Sequence, residues 1–209
     1  MSILDILYMH IIEKGFSSTF NIMMKYNKHD LNSIYKLCKT IDGSNCEIGI
    51  HPTMNDFTNT LNENLVEKFK KKYKVRNIYG MRIHELAFSP DELYEKLEKT
   101  NNIFYDNSMM FPDLPGFRTS FSLPHKYFSK KNNKIFDILC IPVFTMDTSF
   151  TKYMKLSEEE TEERINTIIQ ENISKNSLTS ILIHNNFFYS RTKQRINFYK
   201  NLINQIYDS

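Results

Sequence analysis

Three histidines each follow a short apolar run: His51 after residues 48–50, His84 after residues 78–82 and His184 after residues 179–183. An imidazole at such a place can ligate a metal or carry a proton near neutral pH. Pro52 bars its predecessor His51 from helical backbone, so that ring is presented at a strand end. If the strands are parallel their carboxyl ends share one edge, and the three rings should converge there. His10, His29 and His125 have no such placement and read as structural or surface residues. Arg82 lies two positions before His84, and Arg118 closes the phrase Phe111-Pro112-Asp113-Leu114-Pro115-Gly116-Phe117-Arg118. An arginine beside a carboxylate forms a bidentate clamp, and Asp113 or Asp106 would supply the carboxylate. Such a clamp can anchor a loop or orient a catalytic acid. Gly116 permits a tight turn within the phrase.

The elements that must position these residues follow from periodicity. Apolar spacing predicts a helix over residues 3–14 closed by Gly15, a strand over 17–24 and a helix from Leu31 to near Gly43. After His51, the spacing of Leu61, Leu65, Phe69 and Tyr73 marks one helix stripe. Strands are predicted at 78–82 and 103–105, separated by a helix that Ser89-Pro90-Asp91-Glu92 would start as a capping box. Residues 106–134 form a long irregular segment whose aromatic content argues against disorder. A strand at 135–144 follows, then a helix capped by Ser157 and Glu160, a last strand at 179–183 and a closing helix over 195–207. The tally is six strands, all read as parallel and buried on both faces, alternating with helices. No glycine-rich phosphate loop follows any of them.

At 209 residues the chain fits a single domain over residues 1–209 with a full core. Lysine and arginine number 27 against 24 acidic residues, and the net charge of +3 is too small to argue for nucleic acid. The basic run at residues 68–76 reads as a solvated helix end. Cys38, Cys46 and Cys140 are odd in number and widely spaced, which indicates neither a disulfide framework nor a cysteine zinc site. No signal peptide or membrane span is legible, and the expected location is the cytoplasm.

In order along the chain, Ser18-Thr19-Phe20, Glu47-Ile48-Gly49-Ile50-His51-Pro52-Thr53, Arg82-Ile83-His84, Asp106-Asn107-Ser108, Asp113 to Arg118 and His184-Asn185 resemble the polysaccharide deacetylase-like proteins of the NodB-homology, carbohydrate esterase 4 group. The nearest likeness is to a bacterial branch associated with surface-polysaccharide and O-antigen biosynthesis. The resemblance implies an α/β fold, a distorted (β/α)7 barrel, lacking its first strand. It also implies a divalent metal, commonly zinc, that activates water to remove N-acetyl groups from a carbohydrate substrate. On this resemblance His51 is the first metal ligand, His184 protonates the departing amine, and Asp113, Arg118 and Arg82 orient the catalytic groups.

The chain departs from that pattern in two places. The family's paired aspartates sit on a first strand that would lie before Met1, so the chain reads as shortened at its amino terminus. The usual second metal histidine, four residues after the first, is Asn55 here, and His84 takes its place as the candidate. Two further readings stand beside the hydrolase: a non-catalytic descendant that binds a carbohydrate or a partner enzyme, and a homo-oligomer paired through the open barrel edge.

Overall fold

Parallel strand pairing sets the architecture, which is mixed α/β. The computed structural model describes residues 11–24, 31–42, 44–59, 65–86, 88–100, 102–188 and 192–207. Most of the helix expected over residues 3–14, with His10, lies outside them, as do His29 and Leu61. Contacts divide the chain into two compact units: Ser17–Ser108 with Pro124–Ile141, here the sheet unit, and Met1–Phe16 with Met109–Leu123 and Pro142–Ser209, the helical unit.

The sheet unit holds six strands: β1 (Thr19–Met23), β2 (Glu47–His51), β3 (Gly80–Met81), β4 (Tyr105–Asp106), β5 (His125–Ser129) and β6 (Lys134–Cys140). Their order is β1-β2-β3-β4-β6-β5, and as described the sheet does not close on itself. All neighbours are parallel except β5, which runs antiparallel to β6. Each of the six predicted strands has a parallel neighbour, and the correction is β5, an antiparallel strand within residues 106–134, which were read as irregular. His125 to Ser129 alternates partly buried and exposed side chains in the manner of an edge strand, and it returns to β6 through Asn132 and Asn133, the latter at φ 46°. Helices α1 (Leu31–Ile41), α2 (Met54–Asn59), α3 (Leu65–Tyr73) and α4 (Pro90–Glu98) connect the parallel strands. Their buried faces are Ile34, Cys38 and Ile41 on α1, Val66, Phe69 and Tyr73 on α3, and Leu93, Tyr94 and Leu97 on α4. Ser89 precedes α4 in extended backbone, yet its side chain makes no cap bond; Glu92 instead pairs with Lys96 at 2.6 Å. The basic run is engaged locally, with Lys72 donating to the Met24 carbonyl and Arg76 to Asp42.

In the helical unit, residues 11–13 are helical and Gly15, at φ +74°, closes them: its N–H donates to Ile12 O and that of Phe16 to Ile11 O. Strands β7 (Thr145–Met146) and β8 (Ile181–Leu182) pair in parallel. The apolar run at 135–144 therefore ends as β6 at Cys140, and β7 begins after an irregular step. Helix α5 (Glu158–Ser174) starts with the expected capping box of Ser157 and Glu160, and α6 (Thr192–Tyr207) closes the described chain. Phe150, Ile165, Ile168, Ile169, Phe198 and Leu202 form their core. Among the described residues no helix is long and apolar enough to cross a membrane.

Gly80 shows how tightly the sheet unit is packed. A Cβ there would fall inside the ring of Tyr105, whose hydroxyl is bonded to Glu47 and Thr19. The Gly80→Ala variant should lose about 1–3 kcal/mol of stability, read from the urea midpoint, because Tyr105 must leave those partners.

Candidate functional site

Parallel register in the sheet unit brings the ends of β2, β3 and β4 to one edge, with Ile50 opposite Met81 and Met81 opposite Asp106. His51 ends β2 and is buried; Arg82, Ile83 and His84 leave β3. The N–H of Arg82 donates to Ile50 O at 3.0 Å and that of His84 to Pro52 O at 2.8 Å, so the β2–β3 ladder continues past the regular strand. The two rings then meet: His51 Nε2 and His84 Nδ1 lie 3.1 Å apart, with planes at 87°. His51 Nδ1 lies 2.6 Å from the Arg82 carbonyl oxygen, which can only accept, so the proton is on Nδ1.

Beside them Asp106 is wholly buried. Its carboxylate accepts from the Ser108 N–H at 3.1 Å, from the Ser108 hydroxyl and from the Tyr94 hydroxyl at 3.3 Å. Burial pushes its pKa up to about 6, against the lowering effect of those donors and of the Arg82 charge. Tyr94 and Cys140, close to this carboxylate, are pushed up as well, chiefly by burial, the thiol to about 12.

In the helical unit the ends of β7 and β8 create a second cluster. Asp147 and His184 each follow one of the paired strands. His184 Nδ1 lies 2.6 Å from Asp147 Oδ1, and the His184 backbone N–H donates to Oδ2 at 3.2 Å. Asp147 is 4% exposed, whereas the His184 side chain is 33% exposed. The carboxylate fixes the ring and holds its proton on Nδ1. A five-residue π-helix, Ser149–Tyr153, follows directly, a form often found at functional sites.

The predicted residues thus fall into distinct settings. His51, His84 and Arg82 come together in the sheet unit, and His184 takes Asp147 in the helical unit. Asp113 is exposed and pairs with neither Arg118 nor another cation among the described residues, so the expected clamp is not formed by it. Its segment is held by backbone instead: Gly116, at φ +149°, donates to Phe144 O, Ser149 Oγ donates to Pro112 O, and the Phe117 ring packs edge-on to Phe144 at 4.8 Å. Sequence reasoning missed Asp147. The available signal was its position directly after a short apolar run, the same placement that singled out the histidines.

Two imidazole nitrogens on one tetrahedral zinc ion stand about 3.3 Å apart. The 3.1 Å separation of His51 Nε2 and His84 Nδ1 suits two such positions. Among the described residues, however, no group of three histidine, cysteine or acidic side chains is arranged to hold a metal ion, and a catalytic zinc takes three protein ligands. The described residues therefore do not make up a catalytic zinc site. No protein-family model matches the chain, and neither a curated protein nor a solved structure matches it.

Asp106 gives the sheet unit a pH signature. An aspartate that ordinarily titrates at 3.8 does so here at about 6, so between those values the folded protein holds a proton the unfolded chain has released. The contribution to stability is greatest below about pH 4 and falls, by on the order of 2–3 kcal/mol, as pH rises through 6. Asp106→Asn keeps the acceptor for Ser108 without the charge. Its urea midpoint should exceed the parent's at pH 7 and approach it at pH 4.

Proposed function

We propose that the protein is a polysaccharide deacetylase-like hydrolase that removes acetyl groups from an N-acetylated sugar, with His184 as the proton donor to the departing amine. The observation that carries this reading is the 2.6 Å contact of His184 Nδ1 with the buried Asp147, which leaves Nε2 as the ring nitrogen not engaged by the carboxylate, on a side chain that is 33% exposed. A carboxylate in that position holds one tautomer and stabilises the imidazolium formed when the ring takes up a proton, as a general acid requires. The α/β fold expected of this class, a distorted (β/α)7 barrel lacking its first strand, draws support from the parallel strands β1, β2, β3, β4 and β6 of the sheet unit. In this reading the segment from Asp113 to Arg118, fastened on either side of β7 by Phe144 and Ser149, flanks the dyad and contacts the sugar.

A second reading, a non-catalytic protein that binds a carbohydrate, is favoured by the His51–His84 pair, whose facing nitrogens either share a proton or hold a metal together, but find no third protein ligand among the described residues.

Acetate release from N-acetylglucosamine oligomers, measured with and without added zinc, separates the two. The hydrolase reading expects release that falls about 10²–10⁴-fold in His184→Asn, and by a smaller factor in Asp147→Asn, which keeps the shape but loses the charge. Zinc retained by the purified protein and lost on changing His51 and His84 to alanine would add support. Oligomer binding without acetate release would leave the carbohydrate-binding reading in its place.

A further inference from the structure

The peptide joining Arg82 to Ile83 is held at both ends, and its two partners belong to different clusters. Its carbonyl accepts from His51 Nδ1 at 2.6 Å, while its N–H donates to Ser108 Oγ at 2.8 Å. In a trans peptide these groups point in opposite directions, here towards the β2 side and the β4 side. The β3–β4 ladder runs through Met81, whose carbonyl accepts from the Asn107 N–H at 3.0 Å. Two residues on, at Ile83, a side-chain hydroxyl takes the place that a main-chain carbonyl would occupy in a continued ladder. Ser108 is fully buried, and its own hydroxyl proton goes to Asp106 Oδ1.

We infer that Asp106 and Ser108 are positioning residues for the His51–His84 pair, acting through the Arg82–Ile83 peptide to fix which ring nitrogens carry protons. The hydrogen bonds run in one direction. The Asp106 carboxylate accepts from the Ser108 hydroxyl, which can then only accept from the Ile83 N–H. A peptide polarised in this sense has a more negative carbonyl oxygen, which strengthens its hold on the His51 Nδ1 proton. His51 Nε2 is left as a lone pair and accepts from His84 Nδ1–H at 3.1 Å. The lone pair of the second ring then falls on His84 Nε2, on a side chain that is 33% exposed and lies 3.7 Å from Glu85 Oε1, beyond hydrogen-bond distance. A buried carboxylate thereby determines that the pair offers an acceptor rather than a donor at its outer nitrogen. None of these hydrogen bonds involves His184 or Asp147, and the protonation of the two rings is read without any assay of activity.

The test is long-range proton–nitrogen NMR of the histidine rings in the full ¹⁵N-labelled chain at pH 8, with His51→Gln and His84→Gln used for assignment. Both rings should show a protonated Nδ1 and a bare Nε2. A proton on His51 Nε2 in the parent protein overturns the inference, without recourse to any Ser108 variant. In Ser108→Ala, His51 should become a mixture of tautomers. Exchange of the Ile83 amide should rise at least tenfold while the Arg82 and His84 amides, bonded to Ile50 and Pro52, keep their protection. A folded Ser108→Ala protein that loses stability but retains the parent ring signals would show a purely structural role and overturn the inference.

Discussion

Burial of the Asp106 carboxylate at the end of β4 constrains much of the sheet unit. A carboxylate removed from water must gather donors, and those gathered here come from two parts of the fold. Ser108 supplies its amide and hydroxyl only if the chain turns immediately after β4. Tyr94 reaches Asp106 only from the inner face of α4, where its ring lies against Tyr127 at 4.7 Å and Phe136 at 6.0 Å. Those two rings belong to β5 and β6. Tyr127 also donates to Asp91 in the first turn of α4. The route from the strand-end carboxylate to the antiparallel edge of the sheet is thus a continuous set of packed and bonded side chains.

Asp147 meets the same physical problem and resolves it differently. Both aspartates lie at the ends of parallel strands, and both are nearly sealed from water. The side-chain donors to Asp106 are the hydroxyls of Ser108 and Tyr94, neutral groups that lower its proton affinity but do not outweigh the burial that raises it. The principal donor to Asp147 is an imidazole with part of its surface in solvent. The first arrangement isolates a charge and uses it to order backbone. The second connects a buried charge to the outside through a ring that can carry a proton across, the more suitable of the two for chemistry on a bound molecule.

The parts of this structure that were legible in the sequence are those written in local periodicity. The stripe of Leu65, Phe69 and Tyr73, the Ser157–Glu160 capping box and the Gly15 helix end each depend on residues within a few positions of one another, and the described residues show all three. The pairing of His51 with His84 was accessible because parallel strands share an edge. Strand β5 was not, since an edge strand buries one row of side chains and needs no apolar run: Lys126 and Phe128 point to solvent. The Ser89 cap failed for a related reason. Serine and glutamate at the right spacing permit a capping box, but Glu92 has a competing partner in Lys96 one turn along α4. Asp147 could not be assigned to His184 by spacing, because their contact is made only when β7 and β8 align.

The turn that follows His84 requires support that local sequence does not provide. Glu85 and Leu86 both have positive φ, 65° and 54°, although neither is glycine. Each costs about 1 kcal/mol or more relative to ordinary backbone. Such a turn persists when its entry is over-determined, and the preceding residues meet that condition: Arg82, Ile83 and His84 donate their amides to Ile50, Ser108 and Pro52 in succession. Glycine at residue 85 would make the turn easier but would relax the backbone from which His84 is suspended. The strain thus points to the orientation of the His84 ring as the feature that the turn maintains. The hydrogen bonds that hold its entry are the same ones that connect the pair of rings to Asp106.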